Sequence, residues 1–241
     1  MIQPDVLRQD REPVLDAVEH ELKFTIPVSR TDAVLAWLRG ACTPDPAFPC
    51  GRVSSIYYDT PGFDSLREKL NSDYLKAKVR LRWYSALATG ERPGRAMLES
   101  KWRVGARREK VRLATEHTGD QLEALSLDDP ALALIPHRLW SAGVMVRAMR
   151  PVLSVQYDRY RFLDRASHTR VSVDFAITVP AVSRRVSAWR HPGPMDVAIV
   201  EVKGRTATLP VSLQPVIRMG GRKASFSKYF ACYRHVTRGI A

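Results

Sequence analysis

Cysteine is scarce: the 241 residues hold three, Cys42, Cys50 and Cys232. They form no Cys-x-x-Cys pair and leave an odd count, which argues against a disulfide framework and against a thiolate zinc site. The sequence has no run of about 18 apolar residues, so no transmembrane helix is expected. The segment Met1–Glu12 is polar and lacks the apolar stretch of a secretory signal. A cytoplasmic location is the resulting expectation. There is no internal repeat and no low-complexity tract, and the Pro/Gly clusters at 43–51, 90–94 and 190–194 read as loops within one domain. The most consequential shortage is of acid, with 25 Asp and Glu against 38 Lys and Arg, a formal net charge of +13. A field of that sign draws polyanions and raises their encounter rate.

Enough apolar material remains for a core, since 45% of residues are hydrophobic. We expect a flexible arm over 1–12 and a single domain over 13–241. Period-two patterning or β-rich composition marks eight strands, at about 19–26, 53–58, 75–84, 96–103, 107–113, 152–162, 168–178 and 196–203. Three- and four-residue apolar spacing marks helices at about 29–39, with Ser29 as its cap, and at 62–71, 118–126, 131–149, 208–219 and 225–236. The stripe of Leu132, Ile135, Leu139, Trp140, Val144 and Met145 in the longest of these is assigned to packing.

The strands divide charge from apolar surface. In Leu75–Tyr84, Lys76, Lys78, Arg80, Arg82 and Tyr84 share one face, and Leu75, Ala77, Val79, Leu81 and Trp83 the other. One such strand is most simply a solvated sheet face. The division recurs, however. Glu19, Glu21 and Lys23 oppose His20, Leu22, Phe24 and Ile26, while Glu99 and Lys101 oppose Leu98 and Trp102. Arg108, Lys110 and Arg112 align, as do Arg159 with Arg161, Arg170 with Asp174, and Glu201 with Lys203. Two architectures fit: a sandwich with this face outward, or an eight-stranded barrel with it inward and helices packed outside. Six amphipathic helices need apolar surface to cover, which favours the barrel. A cavity lined by so many cations calls for a highly charged anion.

These residues resemble a known family. Glu19-x-Glu21-x-Lys23 is similar to the ExExK signature of the triphosphate tunnel metalloenzymes, the superfamily that holds CYTH-type triphosphatases and the VTC polyphosphate polymerase domain. Ser54-Ser-Ile-Tyr-Tyr-Asp-Thr60, Lys78-x-Arg80-x-Arg82-x-Tyr84, Leu98-Glu-x-Lys101, Tyr157-x-Arg159, Arg170-x-x-x-Asp174, Glu201-x-Lys203 and Ser227-Lys-Tyr229 resemble the VTC branch. The resemblance implies an α+β fold with an eight-stranded antiparallel tunnel and ATP-driven growth of a polyphosphate chain. It implies catalytic roles for Arg80, Arg82 and Lys228, and phosphate contacts from Lys23, Lys78, Lys101, Lys110, Arg159, Arg170 and Lys203. It also implies Mn²⁺ or Mg²⁺ held by Glu201 with Glu19 and Glu21. Unlike the eukaryotic polymerases of that branch, this sequence leaves no room for a separate phosphate-sensing domain or a membrane anchor; a membrane partner protein stays open, and nothing in the sequence identifies a docking surface for one. The sequence carries no marker of oligomeric state.

Tyr57 and Tyr58 are expected to pack, and His20, on the apolar face, to be a core histidine. Three rivals stand beside the polymerase: a triphosphatase on the same fold, a polyphosphate sensor without turnover, and an RNA binder. RNA binding asks for exposed aromatics among the basic residues, whereas Trp83 and Trp102 alternate onto the apolar face.

Overall fold

The computed structural model describes residues 20–70, 75–92, 94–104, 107–141, 147–186 and 192–237. Glu19, the arm over 1–12, and Val144 and Met145 lie outside them. In chain order the elements are β1 (His20–Pro27), α1 (Thr31–Ala41), β2 (Cys42–Pro44), β3 (Cys50–Asp59), α2 (Asp64–Leu70), β4 (Leu75–Ser85), β5 (Arg95–Val104) and β6 (Arg107–Thr118). Then follow α3 (Gly119–Ala124), α4 (Pro130–Leu134), α5 (His137–Ser141), β7 (Arg150–Asp164), β8 (Arg170–Thr178), β9 (Val197–Gly204), α6 (Pro215–Arg218), β10 (Arg222–Lys223) and α7 (Lys228–Thr237). Among the described residues no helix is long and apolar enough to cross a membrane.

All eight expected strands form, and two short ones join them. Every named pairing is antiparallel. They make one ten-stranded sheet in the order β10-β1-β9-β8-β7-β3-β4-β5-β6, with β2 pairing on β7. The path is open: among the described residues no pairing joins β6 to β10, so the fold is α+β on a curled antiparallel sheet rather than a closed barrel of eight strands.

Alternation assigns the two faces. On the convex side, Leu22, Phe24 and Ile26 of β1 pack with Val171 and Val173 of β8 and Val200 and Val202 of β9, under α1 and α6. Further along that side, Ile56, Val79, Leu81 and Leu98 pack under α3, α4 and α5. The opposite parity faces the concave side. A bulge in β8, at Ala176 with φ 49°, keeps Ile177 on the concave side with Asp174.

Not all helices lie outside, as the sequence pattern had implied. Tyr229, Cys232 and Val236 of α7 and Leu66 of α2 pack against Val53, Tyr57, Val155, Tyr157 and Ile199, the concave-side residues of the sheet. These two helices plug one end of the curl. The helix expected over 131–149 is cut into α4 and α5 around Pro136, whose ring and missing N–H break the backbone ladder. Ser29 does not cap α1: it lies in a 3₁₀ turn over Val28–Arg30, and Arg30 at the cap position makes no side-chain hydrogen bond there.

Candidate active site

The concave face closes around a cavity of about 210 Å³. Eight basic side chains line it: Lys23, Lys78, Arg80, Arg82, Lys101, Arg159, Lys203 and Lys228. The lining has three carboxylates, Glu21, Glu99 and Glu201, with Tyr57, Tyr157, Phe226 and Ser227. Strand alternation explains the gathering, because β1, β4, β5, β7 and β9 each turn their charged parity inward.

At several registers opposite charges face each other across neighbouring strands, Arg80 with Glu99, Arg159 with Asp174 and Lys23 with Glu201, whereas Lys78, Lys101 and Lys110 line up as like charges. Arg80 stands opposite Glu99 in the β4–β5 register, and its Nε donates to Glu99 Oε2 at 2.7 Å. Arg112 Nε lies 3.2 Å from Glu99 Oε1, and Arg82 Nη1 lies 3.9 Å from Oε2. Burial alone would raise the Glu99 carboxyl, but Arg80 and Arg82 outweigh it and hold the group at about 2. Arg82, 6% exposed, also donates to Ser55 Oγ at 3.1 Å and to the Tyr157 hydroxyl at 3.3 Å.

A second knot centres on Asp174, which is fully buried. Arg159 grips it with both prongs, Nε to Oδ1 at 2.5 Å and Nη2 to Oδ2 at 2.7 Å, and Lys228 Nζ donates to the same Oδ2. Burial pushes the Asp174 carboxyl up, but Arg159 and Lys228 bring it down to about 2. Lys228 Nζ also stands 4.6 Å from the centre of the Tyr157 ring. Burial opposes charge on this amine too, yet Asp174 raises its pKa above the usual lysine value. Burial would raise the Tyr157 phenol, but Arg82, Arg159 and Lys228 lower it.

The third knot joins β1 and β9. Lys203 Nζ lies 2.8 Å from Glu201 Oε1 and 3.6 Å from Glu21, and Lys23 Nζ lies 3.5 Å from Glu21 and 3.6 Å from Glu201. Burial works against the Glu201 carboxylate, but Lys203, the contact with Glu21, and Lys23 hold it well below the ordinary range. Lys101 is exposed along its length, yet its amine is pushed down to about 8, first by burial and then by Arg80 and Lys203. Solvent at the exposed part of the chain screens some of that shift.

Among the described residues no three His, Cys, Asp or Glu side chains stand together as a metal site. Glu21 and Glu201 are the carboxylates that suit a divalent ion. They supply hard oxygen donors side by side, and Mg²⁺ commonly takes one or two carboxylates and completes its shell with water and phosphate oxygens. The donor set therefore fits Mg²⁺ or Mn²⁺ when a phosphate chain shares the cavity.

The structure thus brings together ten of the thirteen residues read from the sequence. Lys110 and Arg170 are exposed and do not line the cavity, although both share its parity; Arg170 opens β8 and stands at the end of its strand. Glu19 is outside the described residues. Tyr57, assigned to packing, does both jobs: its ring lies 5.1 Å from that of Tyr229, and it lines the cavity. Tyr58 is buried in the convex core, as expected. His20 is half-buried. Tyr157 and Ser227 were visible only as members of motifs, and Phe226 carried no signal. A second hollow, lined among others by Asp128, Asp129, Arg150 and Arg185, has balanced charge.

The family described as VTC domain matches residues 18–237, so the chain belongs to that family. No curated protein sequence matches it. Among solved structures, a candidate adenylate cyclase from Bacillus halodurans is similar, with 12% identity and a TM-score of 0.52, covering 88% of this chain and 94% of its own. A candidate adenylyl cyclase from Hippeastrum, described as having a dominant triphosphatase activity, is similar at 16% identity and a TM-score of 0.51, covering 90% and 95%.

Proposed function

We propose that this VTC-domain protein binds ATP, triphosphate or polyphosphate in the concave cavity with a divalent ion, and transfers the γ-phosphate of ATP to a growing polyphosphate chain. The observation that carries this reading is the set of eight cations around about 210 Å³, against three carboxylates in the lining. Even with buried Asp174 added, cations outnumber acids two to one, an excess that a phosphate chain would neutralise. In this reading the curled sheet works as a tunnel of eight main staves, and the chain from about residue 13 onward is one cytoplasmic domain.

Phosphoryl transfer asks for alignment and for neutralised charge more than for covalent help. A terminal phosphate oxygen of the acceptor attacks the γ-phosphorus, the bond from that phosphorus to the β–γ bridging oxygen breaks, and ADP leaves. Arg80, Arg82 and Arg159 are already fixed by Glu99, Ser55 and Asp174, so they meet the phosphate oxygens with little reorganisation. Lys78 donates to Ser227 Oγ at 3.0 Å, and Lys228 is held by Asp174 in the same cavity. Glu21 and Glu201 would hold the divalent ion, which when bound would supply charge neutralisation for the transferring group.

A triphosphatase is the second reading, favoured by the activity described for the Hippeastrum protein; water then replaces the chain end as acceptor. RNA binding is disfavoured because the Trp83 indole sits in the convex core and donates to Glu123 at 3.0 Å. The test is purified protein with ATP and Mn²⁺, resolved by gel and phosphorus NMR beside Arg80→Ala and Glu201→Ala. Phosphate chains with ADP, lost in both variants, support transfer. Free phosphate or pyrophosphate supports hydrolysis, and tight polyphosphate binding without products leaves a sensor.

A further inference from the structure

We infer that Asp59 and Tyr229 form a clasp that sets the position of Lys228, with Asp59 a positioning residue remote from the phosphates. The inference rests on the cavity being the phosphate site, but Asp59 and Tyr229 are not among the residues that line it. Asp59 ends β3 and is fully buried. Its Oδ1 accepts from the backbone N–H of Thr60 at 2.8 Å and of Ser65 at 2.9 Å. Its Oδ2 accepts from the N–H of Leu66 at 3.3 Å and from the Tyr229 hydroxyl at 2.9 Å. One carboxylate thus caps the start of α2 and ties down the start of α7.

Tyr229 is 2% exposed, and its ring stacks on Tyr57 at 5.1 Å with an interplanar angle of 11°. Burial and then Asp59 raise the Tyr229 hydroxyl far above its usual pKa, so it stays a donor. Arg185 flanks the same spot, its Nη2 donating to the Thr60 carbonyl at 2.8 Å. Neighbouring residues of a helix point about 100° apart, so fixing Tyr229 fixes the direction in which Lys228 leaves α7. A lysine chain is flexible, and an ammonium at the start of a ten-residue helix is placed only as well as that helix turns. Packing on Tyr57 alone leaves the ring free to slide in its plane; the hydroxyl on Asp59 removes that freedom.

The test uses the full chain with Tyr229→Phe and Asp59→Asn. Reductive methylation read by mass spectrometry needs no ligand: Lys228 is expected to be protected in the parent and to gain labelling about fivefold or more in both variants. Exposed Lys223 serves as the unchanged control. Buried Cys232, on the same helix, is followed with a thiol reagent. If Cys232 becomes reactive together with Lys228, α7 has undocked, and the positioning role is overturned in favour of a purely structural one. Unchanged Lys228 protection also overturns it. Calorimetry with inorganic tripolyphosphate then reads the consequence: Tyr229→Phe should weaken binding about tenfold in the parent and add nothing in Lys228→Ala. Equal losses in both backgrounds contradict the clasp. If the parent itself fails to bind tripolyphosphate, the phosphate reading falls, while the labelling result still decides the clasp.

Discussion

Asp174→Asn keeps the shape of the side chain and removes its charge, leaving Arg159 and Lys228 without the carboxylate that contacts both, and with only the more distant Glu201 of opposite sign. Both cations are largely buried, at 14% and 11% side-chain exposure, so water compensates them poorly. Breaking a buried pair in this way costs about 3–5 kcal/mol, and the amide should place the loss near the lower end. For a chain of this size, about 3 kcal/mol lowers the melting temperature by roughly 6–12 °C. The loss should also depend on pH. Asp174 is held at about 2 in the folded state, below its ordinary value, so its contribution is complete above about pH 4 and disappears as pH falls towards 2. The gap between parent and variant should therefore close across that window. Saturating tripolyphosphate should narrow the gap at neutral pH, because the anion supplies the missing charge. Urea and thermal melts at several pH values, with and without tripolyphosphate, measure all three effects. A variant as stable as the parent, or a gap indifferent to both acid and ligand, refutes the assignment of Asp174 as counter-ion to the phosphate-binding cations.

Lys101, whose amine is pushed down to about 8, should lose its proton within an accessible range. Tripolyphosphate affinity of the parent should hold below pH 8 and fall above it, whereas Lys101→Gln should bind more weakly at pH 7 and vary less up to pH 9; calorimetry showing equal slopes for both would count against the shift. Arg159→Ala should cost on the order of tenfold or more in tripolyphosphate affinity through loss of a fixed, charge-assisted contact. Arg170→Ala, outside the cavity lining, should stay within about twofold, and the reverse order would place the phosphate elsewhere.

Much of this was legible in the sequence because strand alternation is a local signal. Arg80 and Arg82 must share a face with each other and not with Leu81, whatever the strand pairs with, and the same holds for Glu201 and Lys203. That the faces meet across a cavity was inferred from the amphipathic helices, which need apolar surface to cover, and the motifs agreed with it. What stayed hidden was tertiary. Period 3.6 marks the apolar side of α7 but cannot say which side of the sheet it covers, so a helix read as an outer layer proved to be the inner plug. Tyr57 read as packing because its stacking and cavity roles share one ring. The strands over 42–44 and 222–223 are too short to show a period, and Pro136 alone could have warned that the helix breaks between Leu134 and His137. Arg170 has the correct parity for the cavity, but parity does not tell how far along a strand the cavity extends.

The pairing of β1 with β9 sets Lys23 opposite Glu201. The carboxylates best suited to a divalent ion therefore come from opposite ends of the chain. On a ribosome, β1 must wait through the synthesis of nearly every other strand before its neighbour emerges, and contacts of such long range form slowly. Glu21 and Glu201 thus meet only after the strands between them have been made, so under the proposed function the site for a divalent ion would be completed late.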